Sequence, residues 1–357
     1  MRQSLLDLLQ HQIKEGLHLG ARLYVSRQHE TQLDLSVGQA SEGVPMTTDT
    51  RLLWMSAGKP ITAVALLQQV ERRLLALNDP VTHYLPEFGI KGKDPILIQH
   101  LLTHTGGFRL ADKIELLDWA QAIREICAVP LEPNWEIGKK AGYHISGSWL
   151  ILAELIQRTD PKKRNIATYL KEEVYTPCGM KDTALGLTTS PTNLSTMHLS
   201  ELGTCTPHPL HSDPARLFQW RTGSHLIGPA QELGRFYEAL LTQDGSLLQP
   251  ETIKLMTQRH RQGVYDQTFR HIIDFGLGVA INSSQYAESN VPYGYGRLAS
   301  SNTFGHGGNQ SSIAFADPKH QLVFVYITNG MPGEAAHQKR MRDVMNLVYE
   351  ELGLSGN

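Results

Sequence analysis

Leu5, Leu9 and Ile13 recur at helical spacing in the first segment, and Gly16 stands where such a helix would end. Two strand-like runs follow, GARLYVSR and QLDLSVGQA, joined by a short polar turn. The segment SAGKPITAVALLQQVERRLL predicts a helix with Ile61, Val64, Leu67 and Leu74 near one face. From there to about residue 225 the pattern is mostly helices and long loops. SWLILAELIQR and, further on, PAQELGRFYEALL read as clear helices, and HLLTHTGGF as a turn-rich break. The strand pattern returns late. Residues 273–281 (IDFGLGVAI) predict one strand, and SSIAFA and QLVFVYIT flank the turn Asp317-Pro318-Lys319-His320 as a hairpin. A last helix places Met341, Val344, Val348 and Leu352 on one face.

Strands at both ends of the chain with helices between them predict an α/β (α+β) fold. The ends meet in an antiparallel sheet flanked by terminal helices, and the middle forms an inserted, mostly helical lobe. The expected α/β lobe covers about 1–55 and 226–357 and the helical lobe about 56–225, within a single domain spanning 1–357. A site is expected in the cleft between the lobes.

Composition changes this picture little. A formal net charge of −2, with no basic run, leaves no footprint for nucleic acid or an anionic membrane. Cys127, Cys178 and Cys205 make no disulfide framework, which favours a reducing compartment. Asp7, Gln10 and His11 interrupt the first apolar run, so it does not read as an export signal, and no stretch is apolar enough to span a bilayer. The expected location is cytoplasmic.

The first candidate chemistry is Ser56-Ala57-Gly58-Lys59, where a strand hands over to a helix. Residues three apart on a helix share a face, so the Ser56 hydroxyl and Lys59 amine can meet. A serine needs a neighbouring base to become a nucleophile. Burial and a helix N-terminus both disfavour a charged lysine there, and the same helix start offers N–H groups to an oxyanion. Alone, this spacing arises roughly once by chance in such a chain, and it reads more readily as a surface helix cap.

The surrounding text decides between them. LLWMSAGKPITAVALLQQVERRLLALNDPVTHYLPEF, HLLTHTGGF, AGYHISGSWLILAELIQR and FGHGGNQSSIAFADPKHQLVFVYITNG resemble, in order and spacing, segments of the serine β-lactamase and penicillin-binding-protein superfamily. This superfamily includes class C β-lactamases, DD-peptidases and family VIII carboxylesterases. The resemblance runs from about residue 5 to about residue 350 and implies an acyl-enzyme on Ser56, with no metal or organic cofactor. It implies that Tyr143 shuttles protons with Lys59, a role as base that needs a nearby cation because a phenol ordinarily titrates near 10. It also implies that His306, Gly307, Gly308 and Asn309 line the substrate, with the N–H groups of Ser56 and Asn309 as the oxyanion hole. His144 is an auxiliary candidate beside Tyr143.

Two departures shape the functional reading. Ile145 stands where the family's Tyr-x-Asn motif has its asparagine, and it cannot hydrogen-bond a β-lactam or peptide amide. His306 stands where the Lys-Thr-Gly motif has its lysine, which weakens recognition of a substrate carboxylate. The expected activity is therefore hydrolysis of a small-molecule ester. An acyltransferase, a β-lactamase or DD-peptidase, and a binding module without turnover are the alternatives. Cys205, His208, His211 and Asp213 crowd one loop, but their spacing fits no strong zinc template. The sequence carries no sign of oligomeric state.

Overall fold

A computed structural model describes residues 2–114, 118–189, 191–201, 205–287 and 291–354. Seven strands form its large sheet: β1 (Gly20–Arg27), β2 (Glu30–Ser41), β3 (Val44–Pro45), β4 (Ala280–Ile281), β5 (Phe304–Gly308), β6 (Ser312–Asp317) and β7 (Leu322–Thr328). Their order is β4-β5-β6-β7-β1-β2-β3, antiparallel throughout. The seam between the two ends of the chain is the β1–β7 pair, with Ala21 opposite Thr328 and Arg27 opposite Leu322.

Side chains alternate across this sheet, and both faces are covered. Val323, Val325 and Ile327 of β7 enter one core, while Leu322, Phe324 and Tyr326 enter the other. That is why QLVFVYIT is a continuous apolar run rather than an alternating one. Helices α1 (Arg2–Lys14) and α5 (Glu334–Glu351) cover one face through Leu5, Leu9, Met341, Val344 and Val348. Helix α4 (Ala230–Thr242) covers the other. It lies so close that a Cβ on Gly234 would fall 2.4 Å from the Tyr24 ring.

Behind α4 lies α2 (Lys59–Glu71), packed against α3 (Gly147–Thr159). The expected one-sided helix is in fact wrapped all round: every residue from Lys59 to Gln69 is buried. It begins later than the sequence suggested, because Met55–Gly58 form a 3₁₀ turn before it, and it stops at Glu71, with Arg73 in a left-handed conformation. The expected strand at 273–281 is also corrected. Only Ala280–Ile281 join the sheet; Gly278, at φ +77°, turns the chain so that Phe275 bridges Ala280. Among the described residues no helix is long and apolar enough to cross a membrane.

Candidate active site

A small sheet aims the nucleophile turn. Leu52–Leu53 pair with Leu226–Gly228, and Trp54, fully buried, donates its indole N–H to Gly228 O at 2.8 Å. Met55 then takes a left-handed φ of +52°, an uncommon setting for a side chain of its size. This bend delivers Ser56 into the 3₁₀ turn and Lys59 to the first turn of α2.

The Lys59 amine lies 3.0 Å from Ser56 Oγ, 2.8 Å from Ile145 O and 2.6 Å from Gly223 O. Two carbonyls suffice for the two N–H bonds of a neutral amine, leaving its lone pair for the serine proton. Complete burial brings the Lys59 pKa down to about 7, against a smaller opposing pull from Asp112. Gly223 has to be a glycine here, since a Cβ would sit 3.1 Å from Nζ and 2.9 Å from Ile145 O.

Tyr143 is fixed through its backbone. Its N–H donates to Asp266 Oδ1 at 3.1 Å, and its carbonyl accepts from Thr268 Oγ1 at 3.0 Å. Its ring lies 4.5 Å from the His104 ring, 4.7 Å from Phe269 and 5.7 Å from His306, with Lys59 Nζ 5.2 Å from its centroid. The phenol oxygen is buried without a hydrogen-bond partner among the described residues. Burial drives its pKa well above 10, and the Ser56 hydroxyl, the first of the opposing influences, does not reverse this. This direction runs against the cation-activated base expected from the sequence and favours the neutral phenol.

Asp112 braces the next stretch by accepting the N–H groups of Ile145, Ser146 and Gly147 at 2.8, 2.8 and 2.7 Å. A carboxylate thus serves the start of α3 where Ser146 offers no side-chain cap. It also fixes the Ile145 carbonyl that holds Lys59. The Ile145 side chain is 53% exposed and stands at the cavity wall, where it presents only hydrocarbon.

On β5, His306 is buried, with Nδ1 2.6 Å from Gly307 O. That contact assigns the proton to Nδ1 and leaves Nε2 as an acceptor. Burial, reinforced by Lys59, lowers its pKa to about 3, so it is neutral in the working range. Gly307 lies under Tyr293: a Cβ would fall 2.4 Å from that ring. Gly308 does not line the cavity; a Cβ there would be 2.6 Å from Trp54 O, so its role is to let β5 close on the nucleophile turn. Ser56, Tyr143, His306, Gly307 and Asn309 share one cavity of about 550 Å³.

His144 is not brought to the nucleophile. Side chains alternate along this extended stretch, so its ring packs instead 4.5 Å from Phe108. His208 Nδ1 accepts the N–H groups of Leu210 and His211, and the two imidazoles lie 4.3 Å apart. Among the described residues no group of three His, Cys, Asp or Glu is placed to hold one. The sequence reading had no role for His104, Asp112, Gly223 or Asp266. Of these only His104 falls in a segment singled out by the sequence, the turn-rich HLLTHTGGF.

Known proteins resemble this chain over most of its length. The chain is 27% identical to Esterase EstB of Burkholderia gladioli over 366 residues, covering 90% of this chain and 89% of that one. It superimposes on EstCE1, described as a hydrolase with promiscuous acyltransferase activity, with a TM-score of 0.83 at 23% identity, covering 96% and 98% of the two chains. A family VIII carboxylesterase gives a TM-score of 0.77 at 23% identity, covering 96% of each. The Beta-lactamase family model matches residues 6–347. The chain therefore belongs to the beta-lactamase family and is a serine hydrolase of that fold.

Proposed function

We propose that the protein hydrolyses carboxylic esters of small molecules through an acyl-enzyme on Ser56. One observation carries the reading: Lys59 Nζ sits 3.0 Å from Ser56 Oγ while two backbone carbonyls hold its other side. As Ser56 Oγ bonds to the ester carbonyl carbon, its proton passes to neutral Lys59, and the carbonyl electron pair moves onto oxygen. The N–H groups of Ser56 and Asn309 receive that oxyanion, each worth about 3 kcal/mol in such holes. On collapse the alcohol C–O bond breaks. Tyr143, the neutral phenol, protonates the departing oxygen and recovers a proton from the Lys59 ammonium. Water then attacks the acyl-enzyme by the same route and frees the acid and Ser56.

The replacement of the family's amide-binding asparagine by Ile145 and of its lysine by His306 supports an ester over a β-lactam or peptide. An alcohol could replace water as acceptor in the largely apolar cavity, and product analysis with added alcohols measures that share. Three cysteines outside any disulfide suit a cytoplasmic setting.

A fluorophosphonate should label the wild-type protein at Ser56, seen by peptide mass spectrometry, and block turnover of a short-chain nitrophenyl ester. A folded wild type that neither labels nor turns over the ester would end this reading. So would a chromogenic cephalosporin hydrolysed as fast as the ester.

The pH dependence follows from Lys59. Its pKa is lowered to about 7 and its neutral form is the base, so activity rises with pH through that value. At pH 6 kcat/KM should be about a tenth of its plateau above pH 8. Tyr143, held well above 10, brings no decline below about pH 9. A rate independent of pH between 6 and 8 would contradict the assignment.

A further inference from the structure

We propose that this site takes uncharged esters with an apolar arm and rejects carboxylate-bearing ones, and that Glu334 sets the preference. The proposal rests on the ester-hydrolase reading and names the substrate class of that site.

The cavity walls are largely hydrocarbon, from Phe269, Ile273, Phe275, Val291 and Pro292. Among the described lining residues Glu334 is the only Asp, Glu, Lys or Arg. Its carboxylate accepts from Tyr293 Oη at 2.9 and 3.1 Å and from Gln338 Nε2 at 3.3 Å. These are neutral donors, so they orient the charge without cancelling it. No ion pair engages it among the described residues. Glu334 opens the 18-residue helix α5.

Its position relative to the chemistry follows from Tyr293. That ring presses on Gly307, the neighbour of His306, so Glu334 stands one aromatic ring from the strand beside Ser56. The nearby cations are committed elsewhere. Arg340 is buried outside the cavity lining, with its Nη groups donating to Leu17 O, Gln310 O and Gly330 O. Lys59 is closed in behind Ser56 by its three acceptors, and His306 is neutral. A second carboxylate in this cavity would meet a fixed negative charge and, among the described lining residues, no Lys or Arg to pair with. Glu334 is exposed at the cavity rim, where an effective dielectric constant of about 20, usual near a protein surface, still separates like charges in rate by roughly a factor of ten.

The test compares kcat/KM for 4-nitrophenyl valerate and for mono-(4-nitrophenyl) glutarate, which adds a terminal carboxylate. The ratio of the two is the readout, so a general loss of activity in a variant cancels. Wild type should favour the valerate by about tenfold or more. Glu334→Gln keeps an acceptor for Tyr293 and should cut the ratio at least about threefold; Glu334→Lys should cut it about tenfold or more. Tyr293→Phe breaks the hydrogen bond but keeps the charge, and should leave the ratio within about twofold. An unchanged ratio in both Glu334 variants overturns the proposal, as does a shift in Tyr293→Phe equal to that in Glu334→Gln. Turnover of valerate with such an outcome leaves the hydrolase reading standing; turnover of neither ester by wild type removes both.

Discussion

Ser56→Ala should lower kcat for a short-chain nitrophenyl ester by roughly 10⁴- to 10⁶-fold and abolish labelling by a fluorophosphonate. The loss is large because the covalent step disappears, and the remaining groups can only bind and polarise the ester while water attacks directly. The Oγ takes part in one short contact, with Lys59, and the Cβ of alanine fits where that of serine was. Stability should therefore change by only about 1 kcal/mol, measured by urea unfolding. Loss of activity together with loss of fold would make the measurement uninformative about chemistry, so far-UV circular dichroism accompanies it. A variant retaining more than about a hundredth of wild-type turnover would place the nucleophile elsewhere.

Lys59→Met should cost about 10³-fold in kcat/KM and erase the rise in rate through pH 7. Methionine approximates the lysine stem, so α2 keeps its packing among residues that are buried on every side. The Ile145 and Gly223 carbonyls lose their donor, at a cost of about 1–3 kcal/mol each. The lost burial penalty of the amine works the other way, because a lysine near 7 in the folded chain and near 10.5 unfolded binds fewer protons when folded. Wild-type stability should accordingly increase with pH between about 7 and 10, and this slope should vanish in the variant. If Lys59→Met kept the wild-type pH–rate limb, the titrating base would be another group.

The parts of this molecule visible in its sequence are those whose determinants are local. Ser56 and Lys59 are one turn apart, so their meeting follows from helix geometry alone. The β6–β7 hairpin shows because both its strands carry apolar runs, IAFA and LVFVYI, and a Pro-containing turn joins them. The stretch 273–281 misleads because Ile273 and Phe275 face the cavity and Leu277 and Val279 the core, leaving only Ala280–Ile281 in the sheet. A Cβ on Gly276 would lie 2.2 Å from Met256 O, a close approach that sets the local path and that no periodicity records. Tyr143 was identified by resemblance, and its neutral state comes from burial among His104, Phe269 and His306, three segments distant in sequence. Gly223 acts through a backbone oxygen, and its need to be glycine comes from Ile145 O and Lys59 Nζ, which only the folded chain brings close. Asp112 and Asp266 hold N–H groups about 34 and 123 positions away, distances over which only the folded chain connects them.

The β1–β7 seam has a consequence for biosynthesis. Ala21 must wait for Thr328 before its edge is paired. At translation speeds of 5–20 residues per second, about 300 residues of delay leave that strand's open side uncovered on the ribosome for roughly 15–60 s. The hairpin of β1 and β2 emerges early with an apolar edge that invites pairing with other nascent chains. Ribosomes stalled before β7 should therefore yield aggregating products, and holdase chaperones should engage this chain from its first strands until nearly the last.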